Sequence, residues 1–313
     1  MKRILPLLLF CSFTAMPVQA SSLAKIIDSI FKKNNSHQEL QVAEPILSKT
    51  DIKKEKEKDI LVEEIDGIYF IKIDNKKLHG ELKPYYVVNL TTNNDVYTQT
   101  GARFVVNAGF FDPKNHQTVS YLTLDGNQIL DPHNNKNLMN NRHLQPYMDK
   151  ILNRSELRIL KSKTDGSIKY DIAPHNEACT DDYEILHSIQ GGPGLVPELR
   201  LAEEFFVLTD KTGKIISESA SSLSKYARTL VGIKDNNLYF VIATNKHPVS
   251  LPEAAEILKE AGMEKAMAFD GGGSVSVDFK DDDLHIISDK DQTARRLKSF
   301  WIITSGQVKT DKK

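Results

Sequence analysis

SLPEAAEILKEAGMEKAMAFDGGGS, residues 250–274, sets a helix, a strand and a turn in immediate succession. Ser250 and Glu253 stand at capping-box spacing: the serine oxygen takes a first-turn N–H and the glutamate takes the N–H of the cap. Pro252 belongs in that first turn, where a missing N–H costs nothing. Ala254, Ala255, Ile257, Leu258 and Ala261 recur at three- and four-residue intervals and give the helix one apolar face. Gly262 suits a helix stop. Lys265 to Asp270 then reads as a buried strand that delivers a carboxylate to its end, and Gly271-Gly272-Gly273-Ser274 clears the space around it. A phosphate-binding P-loop would need a Gly-Lys-Ser/Thr end, and the glycine spacing is not that of a dinucleotide fingerprint.

Strand patterns surround this unit from about Leu61 onward. Ile68 to Ile73 and Tyr85 to Leu90 read as strands. Arg103 to Asn107 is a short apolar run that breaks at a glycine-bearing turn. Tyr121 to Leu124 and Gln128 to Leu130 flank Asp125-Gly126-Asn127, a hairpin signal. Residues 131–145 are rich in Asn and His and read as a polar loop, and Tyr147 to Leu152 as one or two helical turns. Glu156 to Leu160 and Ser167 to Ile172 join through Thr164-Asp165-Gly166. Thr229 to Ile233 and Leu238 to Thr244 flank Lys234-Asp235-Asn236-Asn237, another hairpin signal. Val275 to Phe279 and Leu297 to Thr304 are further strands. Many strands and few helices, with no repeat, predict an α+β chain: a single compact domain of mixed β-sheets over residues 61–306.

The flanks differ in kind. Lys2 and Arg3, the apolar run Ile4 to Phe13, and Val18-Gln19-Ala20 form a secretory signal pattern over residues 1–20, with cleavage expected after Ala20 and an uncleaved anchor as the alternative. The expected location is exported: periplasm, cell envelope or outside the cell. No later stretch reaches the roughly 18 apolar residues of a membrane span. Residues 21–60 are expected to be a charged tether, since Lys49 to Asp59 holds five lysines and four acids and little apolar surface to offset chain entropy. Residues 307–313 form a polar tail.

The 313 residues are 40% hydrophobic and 27% charged, which excludes collagen-like, coiled-coil and wholly disordered chains. With 41 basic and 42 acidic residues there is no general drive toward nucleic acid or anionic lipid. Cys11 and Cys179 are the only cysteines, so neither a disulfide scaffold nor a multi-thiolate zinc site can be built. Cys179 reads as a semi-buried structural thiol. His116, His133, His143, His175, His187 and His247 show no metal-ligand spacing and read as solvated or loop residues. Asp281-Asp282-Asp283 reads as a charged hairpin tip rather than a cation site. No cofactor is required by this pattern, and a divalent cation has no motif behind it.

Four segments interrupt apolar strands with glycine and polar residues. Asn107-Ala108-Gly109-Phe110-Phe111-Asp112 ends a strand in an amide and a glycine. Gly191-Gly192-Pro193-Gly194 is a side-chain-poor loop that would let a ligand approach main-chain N–H groups or form a plain turn. Arg228-Thr229 places an arginine at the head of an apolar strand, either a solvated end or a fork for phosphate or carboxylate. Asp270-Gly271-Gly272-Gly273-Ser274 places a carboxylate in an open mouth, where it either serves a ligand or caps its own turn.

In this order, with the helix over 250–262 and with Arg295 before the last strand, these segments resemble the phosphodiester glycosidase family over about residues 65–304. Its bacterial relatives are of exopolysaccharide-biosynthesis type. There are two departures: Thr244-Asn245 stands where members often carry Asp-Gly, and residues 131–155 form a local insertion. The resemblance implies a phosphodiester glycosidase-like fold. It also implies hydrolysis of a sugar-1-phosphodiester, of N-acetylglucosamine-1-phosphate type, in envelope or extracellular glycans. The partner is then a phosphorylated glycan or a sugar-nucleotide-like substrate. Asp270 would be the carboxylate near the anomeric centre, Arg228 the phosphate grip, and Asn107 a hydrogen-bonding guide. Gly109, Gly191, Gly192, Thr229, Gly271, Gly272, Gly273 and Ser274 would line the substrate site, and Arg295 would be a second phosphate contact. Glu253 and Asp112 are candidates for a second carboxylate, although Glu253 also has the helix cap to serve. The rival readings are a non-catalytic glycan- or phosphate-binding module, an envelope interaction protein acting through its tether, and sugar transfer in place of hydrolysis.

Overall fold

Two-residue turns organise much of the chain. Asp66-Gly67, Asp125-Gly126 and Asp235-Asn236 all take positive φ, the backbone whose twist matches that of paired antiparallel strands. Their closing pairs are Ile65 with Ile68, Leu124 with Asn127 and Lys234 with Asn237. The computed structural model describes residues 58–288 and 294–304. The expected signal, nearly all of the expected tether and the polar tail lie outside the described residues.

The strands in chain order are β1 (Ile60–Ile65), β2 (Ile68–Ile73), β3 (Leu82–Thr91), β4 (Phe104–Asn107), β5 (Leu122–Leu124), β6 (Asn127–Leu130), β7 (Ser155–Ser162), β8 (Ile168–Pro174) and β9 (Tyr183–Gln190). They continue as β10 (Gly194–Val196), β11 (Val207–Thr209), β12 (Ile215–Glu218), β13 (Arg228–Lys234), β14 (Asn237–Ala243), β15 (Lys265–Ala268), β16 (Ser276–Phe279), β17 (Leu284–Ile287) and β18 (Leu297–Ile303). The helices are α1 (Asn93–Thr100), α2 (Lys136–Met139), α3 (Met148–Leu152) and α4 (Leu251–Glu260). Three sheets carry the fold, in the orders β1-β2-β14-β13-β15-β10, β17-β16-β4-β18-β3 and β6-β5-β9-β7-β8, and β11-β12 is a separate two-stranded arm. Every strand pairing among the described residues is antiparallel.

One apolar core joins the three sheets: Ile71, Phe240 and Met267 from the first, Phe104, Phe279 and Trp301 from the second, and Leu122, Ile159 and Ile189 from the third. Phe104 meets Phe240 across the sheet boundary with ring centroids 5.5 Å apart. On the outer face of the second sheet, Val96 of α1 packs with Val105, Phe300 and Ile302. α4 covers the first sheet and buries Ala254, Ala255 and Leu258. Both halves of its capping box form: the Ser250 hydroxyl accepts the Glu253 N–H at 3.3 Å, and the Glu253 carboxylate accepts the Ser250 N–H at 2.9 Å. Ser250→Ala is therefore expected to cost about 1 kcal/mol, visible as a lower urea midpoint.

The α+β expectation holds, and so do the hairpins and the helix over 250–262. Several elements escaped the sequence reading. β9 carries Glu184, His187, Ser188 and Gln190, which disguise it as a polar segment, and α1 buries only Asn93 and Val96. His187, expected on a solvated loop, is fully buried within β9. The polar stretch 131–145 contains two helical turns, Pro132–Asn134 and α2. Ile60 already opens β1, and Asp59 is buried in an ion pair with Arg103 at 2.6 Å. Asp281 and Asp282 sit at the turn between β16 and β17 and pair with Arg103 and Lys58. Cys179 is half-buried, its thiol against the Tyr183 carbonyl. Among the described residues no helix is long and apolar enough to cross a membrane.

Candidate active site

β15 runs through the core, with Ala266, Met267 and Ala268 buried, and emerges at Asp270. The ends of β4 and β15 are tied there. The Asp270 N–H donates to the Ala108 carbonyl at 3.0 Å, and Asn107 Nδ2 donates to the Asp270 carbonyl at 2.7 Å. The Asp270 side chain faces a cavity of 430 Å³, a size suited to a small ligand. Phe110, Phe111 and Phe206 form its aromatic walls, Ser219 and Ala220 one rim, and Arg154 and Arg295 its two cations. Burial pushes the Asp270 carboxyl up to about 6, against the opposing pull of the Ser274 hydroxyl, the Arg295 charge and the Gly271 N–H.

Arg154 immediately precedes β7. Its guanidinium lies 4.1 Å from the centre of the Phe206 ring, and its Nε donates to the Glu204 carbonyl at 3.0 Å. Neither terminal nitrogen has a hydrogen-bond partner among the described residues, so both are available to a ligand. Burial lowers the Arg154 pKa to about 10, with the Glu204 charge pulling the other way, and the group stays cationic at neutral pH. Glu204 is itself buried and fixed. It accepts from the Ser155 N–H and hydroxyl, the Gly194 N–H and Arg200 Nε, at 2.6–3.1 Å. On the other side of the cavity, Arg295 Nη1 donates to Ser274 Oγ at 3.2 Å.

Arg228 is close by but does not face the cavity. It is buried and committed to backbone carbonyls: Nε to Val249 at 3.1 Å, Nη1 to Ala220 at 3.1 Å, and Nη2 to Ser221 at 2.6 Å and Ser224 at 2.8 Å. Ala220 and Ser221 hold φ of 55° and 48°, a strained region for residues with side chains. The arginine expected to grip phosphate thus clamps the loop whose Ser219 and Ala220 wall the cavity.

Asn107 is likewise buried, with its amide spent on protein. Besides the Asp270 carbonyl, its Oδ1 accepts from Thr229 Oγ1 at 2.6 Å and from the Ser276 N–H at 3.1 Å. Asn107 and Thr229 therefore position the Asp270 turn from beneath rather than touch the cavity. Gly109 is buried and donates its N–H to Ser299 Oγ.

The Gly191-Gly192 loop offers no free N–H either, since these groups donate to Ser155 and Ala268 carbonyls. A Cβ on Gly191 would sit 2.7 Å from the Ala268 carbonyl oxygen, and one on Gly192, where φ is +96°, would collide with the Glu204 carboxylate. Gly191 allows the chain after β9 to pack against β15, and Gly192 allows it to pack against Glu204. Gly271, Gly272 and Gly273 remain partly exposed beside Asp270, and Ser274 is buried under Arg295.

Neither candidate second carboxylate reaches the cavity. Asp112 accepts from the Lys114 N–H and from Asn137 Nδ2 and closes its own turn. Glu253 caps α4 and pairs with Lys225 at 2.7 Å. Among the described lining residues Asp270 is the sole carboxylate. The trio Glu81, Asp125 and His187, of metal-ligand type, shares no residue with this cavity.

The sequence reading missed Arg154, Phe206, Ser219 and Ala220, and quoted Phe110 and Phe111 without assigning them to the site. A signal for Arg154 existed: it stands just before the strand β7, as Arg228 stands at the head of β13.

The phosphodiester glycosidase family model matches residues 100–304. No curated protein sequence matches the chain. Among solved structures the fold is similar to the catalytic domain of zebrafish N-acetylglucosamine-1-phosphodiester alpha-N-acetylglucosaminidase auto-inhibited by its pro-peptide, at 15% identity and a TM-score of 0.55, covering 78% of this chain and 82% of that one. A Burkholderia pseudomallei protein matches at 12% identity and a TM-score of 0.54, over 76% and 73% of the two chains. A hypothetical protein from Synechocystis matches at 14% identity and a TM-score of 0.51, over 78% of this chain. The present chain spans 61% of that cyanobacterial protein. At these identities the likeness is one of fold.

Proposed function

The chain belongs to the phosphodiester glycosidase family, a family of hydrolases, and we propose that it hydrolyses the bond between the anomeric carbon and the phosphate oxygen of a sugar-1-phosphodiester of N-acetylglucosamine-1-phosphate type. One observation carries the proposal: Asp270, the one carboxyl among the described lining residues, shares an aromatic-walled cavity with Arg154 and Arg295. An anionic substrate and a cationic transition state need opposite charges within a few ångströms, and this cavity provides both.

In the proposed reaction the substrate phosphate lies between Arg154 and Arg295, and the sugar packs on Phe110 and Phe206. The C1–O bond breaks with its electron pair leaving on the phosphate. Positive charge then builds on the sugar ring beside ionised Asp270, which stabilises it. Water adds to C1 and gives its proton to the departing phosphate. A phosphate monoester is already a good leaving group, so the reaction has little need of a second carboxyl as acid. The arginines hold the charge that grows on the phosphate oxygens, and Arg228 and Asn107 act as positioning residues.

Release of sugar from UDP-N-acetylglucosamine or from a synthetic N-acetylglucosamine-1-phosphodiester, followed with the purified chain, tests this; absence of release from both overturns it. The pH profile is a sharper test. Asp270 works as the carboxylate and titrates at about 6, and Arg154 works as the cation and titrates at about 10. So kcat/KM is expected to rise as pH climbs to about 6, stay level, and fall near pH 10. A rate that falls above pH 6 would make Asp270 an acid instead.

The envelope or extracellular setting rests on the signal pattern over residues 1–20. N-terminal sequencing of the exported chain is expected to begin at Ser21, and an intracellular chain beginning at Met1 would overturn that setting.

A further inference from the structure

The three main sheets border a second cavity, of 990 Å³, with no lining residue in common with the first. It lies at the other end of the same strands. Ile233 lines it and pairs with Lys265, at the start of β15, whose far end leads to Asp270. At about 3.3 Å per residue that separation is roughly 16 Å.

Two buried polar side chains line this cavity without a side-chain hydrogen-bond partner among the described residues. His187 is fully buried, and its Nδ1 accepts the Asp125 N–H at 3.1 Å. The neutral ring therefore carries its proton on Nε2. That N–H makes no well-formed hydrogen bond among the described residues; its nearest acceptors are Glu81 Oε1 at 3.5 Å and Asp125 Oδ1 at 4.0 Å. Tyr170 is 3% exposed, and its phenol makes no hydrogen bond to the described residues.

The His187 tautomer excludes the obvious ligand. A metal ion needs the Nε2 lone pair, and here that position bears hydrogen, so Glu81, Asp125 and His187 are a donor beside two acceptors rather than a metal-ligand set. An anion is disfavoured too, because Lys76 and Lys169 on the lining are balanced by Glu81 and Glu264. Lys83 Nζ donates to Glu81 Oε2 at 2.8 Å, so the open chemistry is a donor N–H, a phenol and the remaining carboxylate oxygen, Glu81 Oε1, set among the apolar surfaces of Leu78, Leu82 and Ile168. A hydroxyl can accept from the first and donate to the third at once. Several hydroxyls on an apolar C–H frame make a sugar.

We propose that this cavity binds a neutral saccharide unit, apart from the Asp270 site and independently of any reaction there. Glucose, N-acetylglucosamine and its disaccharide, none carrying phosphate, are titrated into the full chain and followed by saturation-transfer NMR and by the His187 ring resonances. At least one is expected to bind saturably in the millimolar range and to shift the His187 ring protons. Tyr170→Phe combined with Glu81→Gln is expected to weaken that binding at least about fivefold, with sugar release from a phosphodiester unchanged. Arg154→Ala is expected to leave it intact. The proposal is overturned if none of the three sugars binds, if Arg154→Ala removes the binding while the double variant keeps it, or if His187 does not respond in the wild-type chain.

Discussion

Asp270→Asn is expected to lower kcat by about a thousandfold and, at the same time, to make the folded chain more stable at neutral pH. Both effects have one cause. The carboxyl titrates near 6 when folded because it is buried, against 3.8 for the free group. Its folded value is raised, so the folded chain binds the proton more tightly than the unfolded one, and wild-type stability declines as pH rises through the window from 3.8 to about 6. Above that window the cost is constant, at most about 3 kcal/mol. Asparagine has nothing to ionise and carries no such cost.

The stability gain should therefore be absent near pH 4, open between pH 4 and 6, and be complete at pH 7. Urea midpoints of the two chains at pH 4 and pH 7 measure it. A gain equal at both pH values would refute burial as the origin of the shift, and a variant with full kcat would remove Asp270 from the chemistry.

Arg228→Ala and Arg154→Ala are expected to fail in opposite ways. Removing Arg228 leaves the Ala220 and Ser224 carbonyls without their donor, takes one of two donors from the Val249 and Ser221 carbonyls, and frees a loop held at positive φ through Ala220 and Ser221. That should cost about 3 kcal/mol, a fall in Tm of about 10 °C. Activity then drops because the Ser219-Ala220 rim moves. Removing Arg154 breaks one hydrogen bond to protein, at the Glu204 carbonyl, and its contacts with the Phe206 and Phe110 rings. Its loss should change Tm little. It should raise KM and reduce kcat/KM about a hundredfold, and weaken inhibition by inorganic phosphate in parallel. If Arg228→Ala instead kept its Tm and lost phosphate inhibition, the two arginines would have to exchange roles.

Much of this is legible in the sequence. The Ser250–Glu253 cap, the paired positive-φ turns and the strand that ends at Asp270 follow from contacts a few residues apart in the chain. Such contacts favour the same local structure whatever surrounds them. The order of the four segments marked the family, and Asp270 and Arg295 do line one cavity, with the buried Ser274 hydroxyl holding Arg295 beneath it.

The arginines were not legible. Arg154 and Arg228 each stand at the start of a strand, and that position alone does not tell them apart. What separates them is long-range. Arg228 finds the Val249 carbonyl, brought near by the Tyr226 to Val249 bridge, and the carbonyls of a strained loop. Arg154 finds the Phe206 ring and a single carbonyl, so its remaining donors stay open. Asn107 and the Gly191-Gly192 pair look the same as ligand-binding residues until their partners are known, because an amide or an N–H turns to substrate only when no protein group takes it. The raised Asp270 pKa has the same origin, since residues distant in the chain are what remove its water. Short-range chemistry thus wrote the helix, the hairpins and the place of the carboxylate. Packing between segments up to 190 residues apart, as where Gly109 meets Ser299, determined which of the marked side chains stay open to a ligand.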